Sequence, residues 1–455
     1  MERNLMTEGS IVKKLLLFAL PLVLGNLLQQ LYNTVDSIIV GHYVGSNALA
    51  AVGSGTPLIN LLIAFGQGAA TGAGVVVSQY IGARNHKGVQ SAVHTSLAIA
   101  IWLGLLLSLV GIIFCPQILQ WMNTPSEVMG ESLEYLRIYF AGIFFNIFYN
   151  MASGIVNATG NSRRPLLYLS VAAVTNIFLD LLLIRGLGMG VAGAAIATDI
   201  SQVLSSLLIL IYLLRVQEDC RVRLSRIRIN KEMAGRILQV GLPAGIQNTV
   251  ISFSNVLVQS SVNTFGAVTM AGFGVYLKVD GFNILPVLSL SLAATTFVGQ
   301  NYGAGKLDRV KKGMWVTIAM SVIYTAALGT FLFCFQDPVI GLFTSDADVV
   351  AAGKVVLQYF CRFYFLLGIM YSLAGTVRGT GKTVPPMVIL LIAMCLFRIF
   401  WIQIIVPVIG NVTGVYRLYP ISWCIGLSLM ALYTWKGKWL PREGTGGKEG
   451  DCTLH

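Results

Sequence analysis

The sequence predicts an all-α polytopic membrane protein: twelve transmembrane helices in two pseudo-symmetric six-helix lobes around a central cavity. Three observations predict it. Of 455 residues, 55% are hydrophobic and 11% charged, where a soluble globular chain carries roughly 25% charged residues. The apolar residues come in long blocks, which is how a bilayer-spanning chain reads. The basic residues, finally, alternate from one loop to the next.

Taken in order, the apolar blocks fall at 13–39, 47–78, 90–114, 131–157, 164–184, 190–215, 236–263, 267–297, 312–335, 349–377, 384–409 and 412–435. Each can cross roughly 30 Å of hydrocarbon at about 1.5 Å per residue. The polar start MERNLMTEGSIVKK leads into a block too long for a signal-peptide core, so span 1 reads as a retained helix. With the N-terminus inside, cytoplasmic segments carry 24 Lys and Arg and external segments 4, namely Arg137, Arg185, Lys354 and Arg417. Such asymmetry puts both termini in the cytoplasm; a plasma membrane, the bacterial inner membrane, is the expected location. The net charge of +12 therefore reports topology, and no nucleic-acid partner is expected. The organisation that follows is an N-terminal lobe over 1–215, a basic cytoplasmic linker over 216–235, a C-terminal lobe over 236–436 and a polar tail over 437–455.

The two lobes repeat one another. Leu20-Pro21 matches Leu242-Pro243. The stretch Ser78-Gln79-Tyr80-Ile81-Gly82-Ala83 matches Gly299-Gln300-Asn301-Tyr302-Gly303-Ala304, and Thr159-Gly160 with Pro165 matches Thr380-Gly381 with Pro386. Six spans per repeat is even, so the repeats share one orientation, a parallel design found in secondary transporters.

Chemistry concentrates on the charges inside the spans. Asp36, Asp180 and Asp199 lie in the outer half of the first lobe, and ionisable residues inside a membrane mark ion or substrate paths. Asn176 and Asp180, spaced i, i+4, share a helix face. Two carboxylates and an amide at similar depth can bind a proton or Na⁺. A blander reading stands beside each: Asp36 at headgroup level, Asp180 and Asp199 as structural hydrogen-bond partners, Asn150 as interhelical glue. In the second lobe Lys278, Asp280, Arg362 and Arg398 sit near mid-membrane. Lys278 and Asp280 are i, i+2 and diverge, so Asp280 is expected to pair with an arginine on another helix, either structurally or in contact with substrate.

Several classes drop out. Seven scattered cysteines without a CxxC and four unspaced histidines give no disulfide or metal framework. Gly381-Lys382-Thr383 lacks the earlier glycine of a phosphate loop and follows a membrane helix. An intramembrane enzyme would need a nucleophile–base or metal set, and a receptor would have no use for the duplication. No cofactor is expected beyond a coupling H⁺ or Na⁺.

Together, Ala19-Leu20-Pro21, Val35-Asp36, Ser78-Gln79 with Gly82-Ala83, Gly160-Asn161 with Pro165, Asn176-x-x-x-Asp180, Gly299-Gln300-Asn301 with Gly303-Ala304, and Arg378-Gly379-Thr380-Gly381 resemble the multidrug and toxic compound extrusion (MATE) transporters over about 13–436. The resemblance implies a monomeric antiporter of small organic, often cationic, compounds driven by H⁺ or Na⁺. In the DinF-like branch it places the ion site on Asp36, Asn176, Asp180 and Thr198, with Asn150 in the cavity beside the candidates Lys278, Asp280, Arg362 and Arg398. The NorM-like branch uses carboxylates on spans 7 and 10, and neither span has one here. A lipid-linked oligosaccharide flippase of the same broad superfamily is the alternative that the basic second lobe suggests.

Overall fold

The computed structural model describes residues 5–441 apart from Asn123, Glu218 and Lys438; Arg3, Lys438, Arg442, Lys448 and nearly all of the tail fall outside them. The first six spans are α1 (Ile11–Tyr43), α2 (Ser46–Gly82), α3 (His86–Trp121), α4 (Ser126–Ala158), α5 (Arg163–Asp180) and α6 (Gly190–Arg215). The second six begin with α7 (Lys231–Asn263), α8 (Ala267–Gly303) and α9 (Leu307–Cys334), followed by the short α10 (Gln336–Gly341). Span 10 is broken into α11 (Ala347–Phe360) and α12 (Tyr364–Gly379) by a 3₁₀ turn at Cys361–Phe363. Span 11 alternates α and π turns: α13 (Val384–Leu391), α14 (Phe397–Phe400) and α15 (Val406–Ile409), separated by π segments Ile392–Leu396 and Trp401–Ile405. Span 12 is α16 (Thr413–Trp435). Among the described residues, eleven helices are long and apolar enough to span a bilayer. The twelfth, α7, is as long as α1 but carries a polar run, Gln247-Asn248-Thr249 with Ser252, Ser254 and Asn255.

The helices overrun their apolar blocks by a few residues because the caps lie in the polar layer. Asn85 caps α3 by accepting from Gly88 N–H at 2.8 Å. The repeat is legible in the turns. Gly160 and Gly381 end α4 and α12 with φ of 86° and 89°, a left-handed conformation that costs a side-chain-bearing residue about 1–2 kcal/mol. Arg84 (φ 55°) holds the turn that Gly305 (φ 70°) holds in the second repeat.

Contacts group the chain into two compact units, Leu20–Gly245 and, separately, Met6–Ala19 with Ile246 onward. Their edges therefore lie inside α1 and α7, one residue before Pro21 and two residues after Pro243. In the second unit the start of the chain is held by α8 and α9. Met6 N–H donates to Gln300 Oε1 at 2.7 Å, Lys306 Nζ to the Thr7 carbonyl at 3.0 Å, and Arg309 Nη2 to the Gly9 carbonyl at 2.8 Å. In the first unit the basic linker is sewn onto α3. His86 Nδ1 meets Asp219 Oδ2 at 2.8 Å, Gln90 Nε2 donates to the Arg221 carbonyl, and Arg223 N–H donates to His94 Nε2 at 3.0 Å. The opening half of α7 then crosses α2 at Gly68-x-x-x-Gly72. A Cβ at Gly68 would lie within 2.8 Å of the Gly241 carbonyl and closer still to Gly245, and one at Gly72 would overlap the Ile237 carbonyl. Small residues on both sides let the backbones meet, as membrane helix pairs require.

Candidate ion and substrate site

In the first unit, α1, α4, α5 and α6 line a partly open cavity of about 50 Å³. It is lined mainly by uncharged polar side chains: Gln29 and Tyr32 from α1, Asn146, Tyr149 and Asn150 from α4, Asn176 from α5, and Thr198, Ser201, Gln202 and Ser205 from α6. The helical periods bring them there. Gln29, Tyr32 and Asp36 repeat at i, i+3, i+7, and Thr198, Ser201, Gln202 and Ser205 at i, i+3, i+4, i+7, so each set makes one stripe.

Asp36 and Asp180 approach one another, carboxyl to carboxyl. Asp180 is fully buried and Asp36 nearly so. Neither Asp180 oxygen nor Asp36 Oδ1 has a hydrogen-bond donor, and both polar atoms of the buried Asn176 amide are likewise unpaired. Among the described residues no Lys or Arg pairs with either acid. Asp180 is the last residue of α5, and the helix continues as a π turn over Leu181–Gly186. Such single-turn π segments recur at functional sites. Two facing carboxylates repel, and a proton or small hard cation between them removes the repulsion. The oxygen-rich donors of Asp36, Asp180, Asn176 and Thr198 suit Na⁺ as well as a proton, and no three-residue metal cluster occurs among the described residues.

Of the other candidates, Asn150 donates from Nδ2 to Asn146 Oδ1 and to the Asn146 carbonyl, both at 2.9 Å. Its bond is thus within α4, and the glue reading fails. Asp199 packs its carboxyl against Gly142 of α4, where a Cβ would overlap it; its Oδ1 has no donor.

The second-lobe charges do not form one cluster. Among the described residues Asp280 pairs with no arginine, contrary to expectation. It accepts from Asn283 Nδ2 of its own helix at 3.4 Å and has Tyr276 and Tyr364 near it, the Tyr364 hydroxyl being left without a hydrogen-bond partner. An amide, and no cation, is its donor among the described residues. Lys278 lies 5.8 Å over the Phe343 ring and Arg362 4.9 Å over Phe333; both are exposed. Arg398 alone is buried, 2% exposed. Sequence reading missed Gln29, Tyr32, Gln202 and Ser205, though the polar stripes on spans 1 and 6 carried the signal.

The MatE family model matches the chain twice, over 21–182 and 243–402, one match per repeat. A Bacillus subtilis protein described as "Probable multidrug resistance protein YoeA" is 31% identical, covering 96% of this chain and 96% of its own length. "Probable multidrug resistance protein NorM" of Thermotoga maritima is 29% identical, covering 94% and 93%. A solved outward-facing conformation of a multidrug resistance MATE family transporter of the MOP superfamily superposes with a TM-score of 0.89 at 25% identity, covering 96% of this chain and 98% of that one.

Proposed function

Since the chain belongs to the MatE family of multi-pass membrane transporters, whose relatives are multidrug exporters, we propose that it is a secondary active antiporter exchanging small organic compounds for H⁺ or Na⁺ by alternating access. The observation that carries this reading is the facing pair Asp36 and Asp180 beside a polar cavity, without a basic partner. One ion from outside cancels one of the pair's two negative charges and removes their mutual repulsion, and the loaded lobe releases substrate. Inward release of the ion restores the two charges and readies the lobe for the next substrate. The energetics suffice: a tenfold substrate gradient costs about 1.4 kcal/mol, and one charge moving through 100 mV yields about 2.3 kcal/mol.

Acids on α1 and α5, with none in the apolar blocks of spans 7 and 10, favour the DinF-like arrangement with Asp36, Asn176, Asp180 and Thr198 as ion ligands. The loop charges favour cytoplasmic termini in a plasma membrane, and the chain works as a monomer.

The test is efflux of fluorescent organic compounds, a cation and a zwitterion, from liposomes holding the purified protein, under a pH gradient and then a Na⁺ gradient. Gradient-driven flux that disappears in Asp36→Asn supports the reading and identifies the ion. Folded protein with no flux under either gradient overturns it.

A further inference from the structure

Arg398 heads the fully buried side chains by volume, and its helix is irregular around it. The four residues of α14 stand between the two π segments, Ile392–Leu396 and Trp401–Ile405. The guanidinium Nε donates to Ser422 Oγ at 3.4 Å, Nη1 to Asn255 Oδ1 at 3.1 Å and Nη2 to Met394 Sδ at 3.4 Å. Its carbon lies 4.5 Å from the centroid of the Tyr419 ring. A hydroxyl, an amide, a thioether and a ring are all neutral. No carboxylate pairs with Arg398 among the described residues, and Asp280 is engaged elsewhere.

Arginine has five N–H donors in a fork that matches a carboxylate. Three are used here, and one on each Nη remains. A buried cation without a counter-ion is costly, and inside a membrane it marks a binding position. Structural burial alone is a weak account, because a neutral side chain packed between the same π turns would avoid that cost.

We propose that Arg398, gated by Asn255, binds a carboxylate carried by the exported compound, so that the second lobe selects zwitterionic or acidic organic molecules over plain cations. Asn255 lies on the exposed face of α7, and its amide oxygen occupies the Nη1 position that an incoming carboxylate oxygen would take. Rotation of that one side chain frees Nη1, and the unused donor of Nη2 would complete a two-point contact of the charge-assisted kind. Next to it, Ser254 Oγ donates to the Met394 carbonyl, so α7 holds the π turn in register while Asn255 moves. Transport of such a compound rests on the exporter reading above; the binding claim does not.

The test uses a rhodamine zwitterion with a free carboxylate and its methyl ester, which share one cationic ring system. Binding to the purified full chain is read by fluorescence anisotropy and efflux in proteoliposomes. Wild type is expected to bind the zwitterion more tightly than the ester. Arg398→Gln should weaken zwitterion binding about tenfold or more while leaving the ester within about twofold. Asn255→Asp supplies a resident carboxylate on Arg398 and should give the same selective loss, even where Arg398→Gln fails to fold. Equal loss for both dyes in folded Asn255→Asp, unchanged zwitterion binding in that variant, or no wild-type preference for the zwitterion each overturns the proposal. Selective binding with no efflux of either dye under any gradient leaves the anion site standing and overturns the exporter reading instead.

Discussion

At matching places the two lobes carry different residues on the same scaffold. Asp36 of α1 has Val258 of α7 as its counterpart, and Asn176 and Asp180 of α5 have Phe397 and Trp401 of span 11. The π turn that follows Asp180, Leu181–Gly186, nevertheless recurs as Trp401–Ile405. The helical irregularity thus belongs to the duplicated scaffold, and the charge placed beside it differs between copies. Among the described residues, one copy buries a pair of acids that no base pairs with, and the other buries a base, Arg398, that no acid pairs with. A structural ion-pair network would have joined these groups to opposite charges in their own lobes. Left unpaired, each can offer its charge to a moving ligand.

That contrast breaks most visibly at the acids. Asp180→Asn should lower gradient-driven accumulation in proteoliposomes by roughly 5- to 150-fold, the range of ordinary coupling energies. Substrate exchange without a gradient should persist, because the cavity lining is unchanged. The scaffold side of the comparison predicts smaller, structural effects. Gly72→Leu forces a side chain into the Ile237 backbone and should destabilise the first lobe by about 1–3 kcal/mol, the usual cost of overpacking, seen as a lower melting temperature in detergent. Gly381→Ala puts a Cβ on a left-handed turn (φ 89°) and should cost about 1–2 kcal/mol; Gly160→Ala should match it if the repeats are equivalent. Smallest is Arg309→Gln, which removes the bonds to the Met6 and Gly9 carbonyls and should cost about 1 kcal/mol, read as faster hydrogen exchange at residues 6–9.

Most of the scaffold was legible because a bilayer imposes length and polarity directly. Span 6, 190–215, coincides with α6, and span 11, 384–409, with its full run of α and π turns. The break at Cys361–Phe363 and the π turns were not legible, since apolar composition is the same whether a turn closes with fewer than 3.6 residues or more. Asp36, Asn176 and Asp180 were found because an acid or amide in an apolar block stands out, and their i, i+4 spacing is a property of the helix. The partner of Asp280 was misread for a related reason. Spacing excludes Lys278, but it does not reveal that Asn283, three residues on along the same helix, donates to the carboxylate. Nor could spacing show that Arg398 has only neutral partners, which depends on how α7 and α16 pack against span 11.

The central claim, that Asp36 and Asp180 hold the coupling ion together, is tested most directly by counting ions released when substrate binds. Purified wild-type protein in weakly buffered detergent should release H⁺ or Na⁺ on addition of substrate, reported by a pH-sensitive dye or a Na⁺ electrode. Asp36→Asn and Asp180→Asn should each abolish that release while still binding the substrate. Undiminished ion release from the folded double variant would contradict the account.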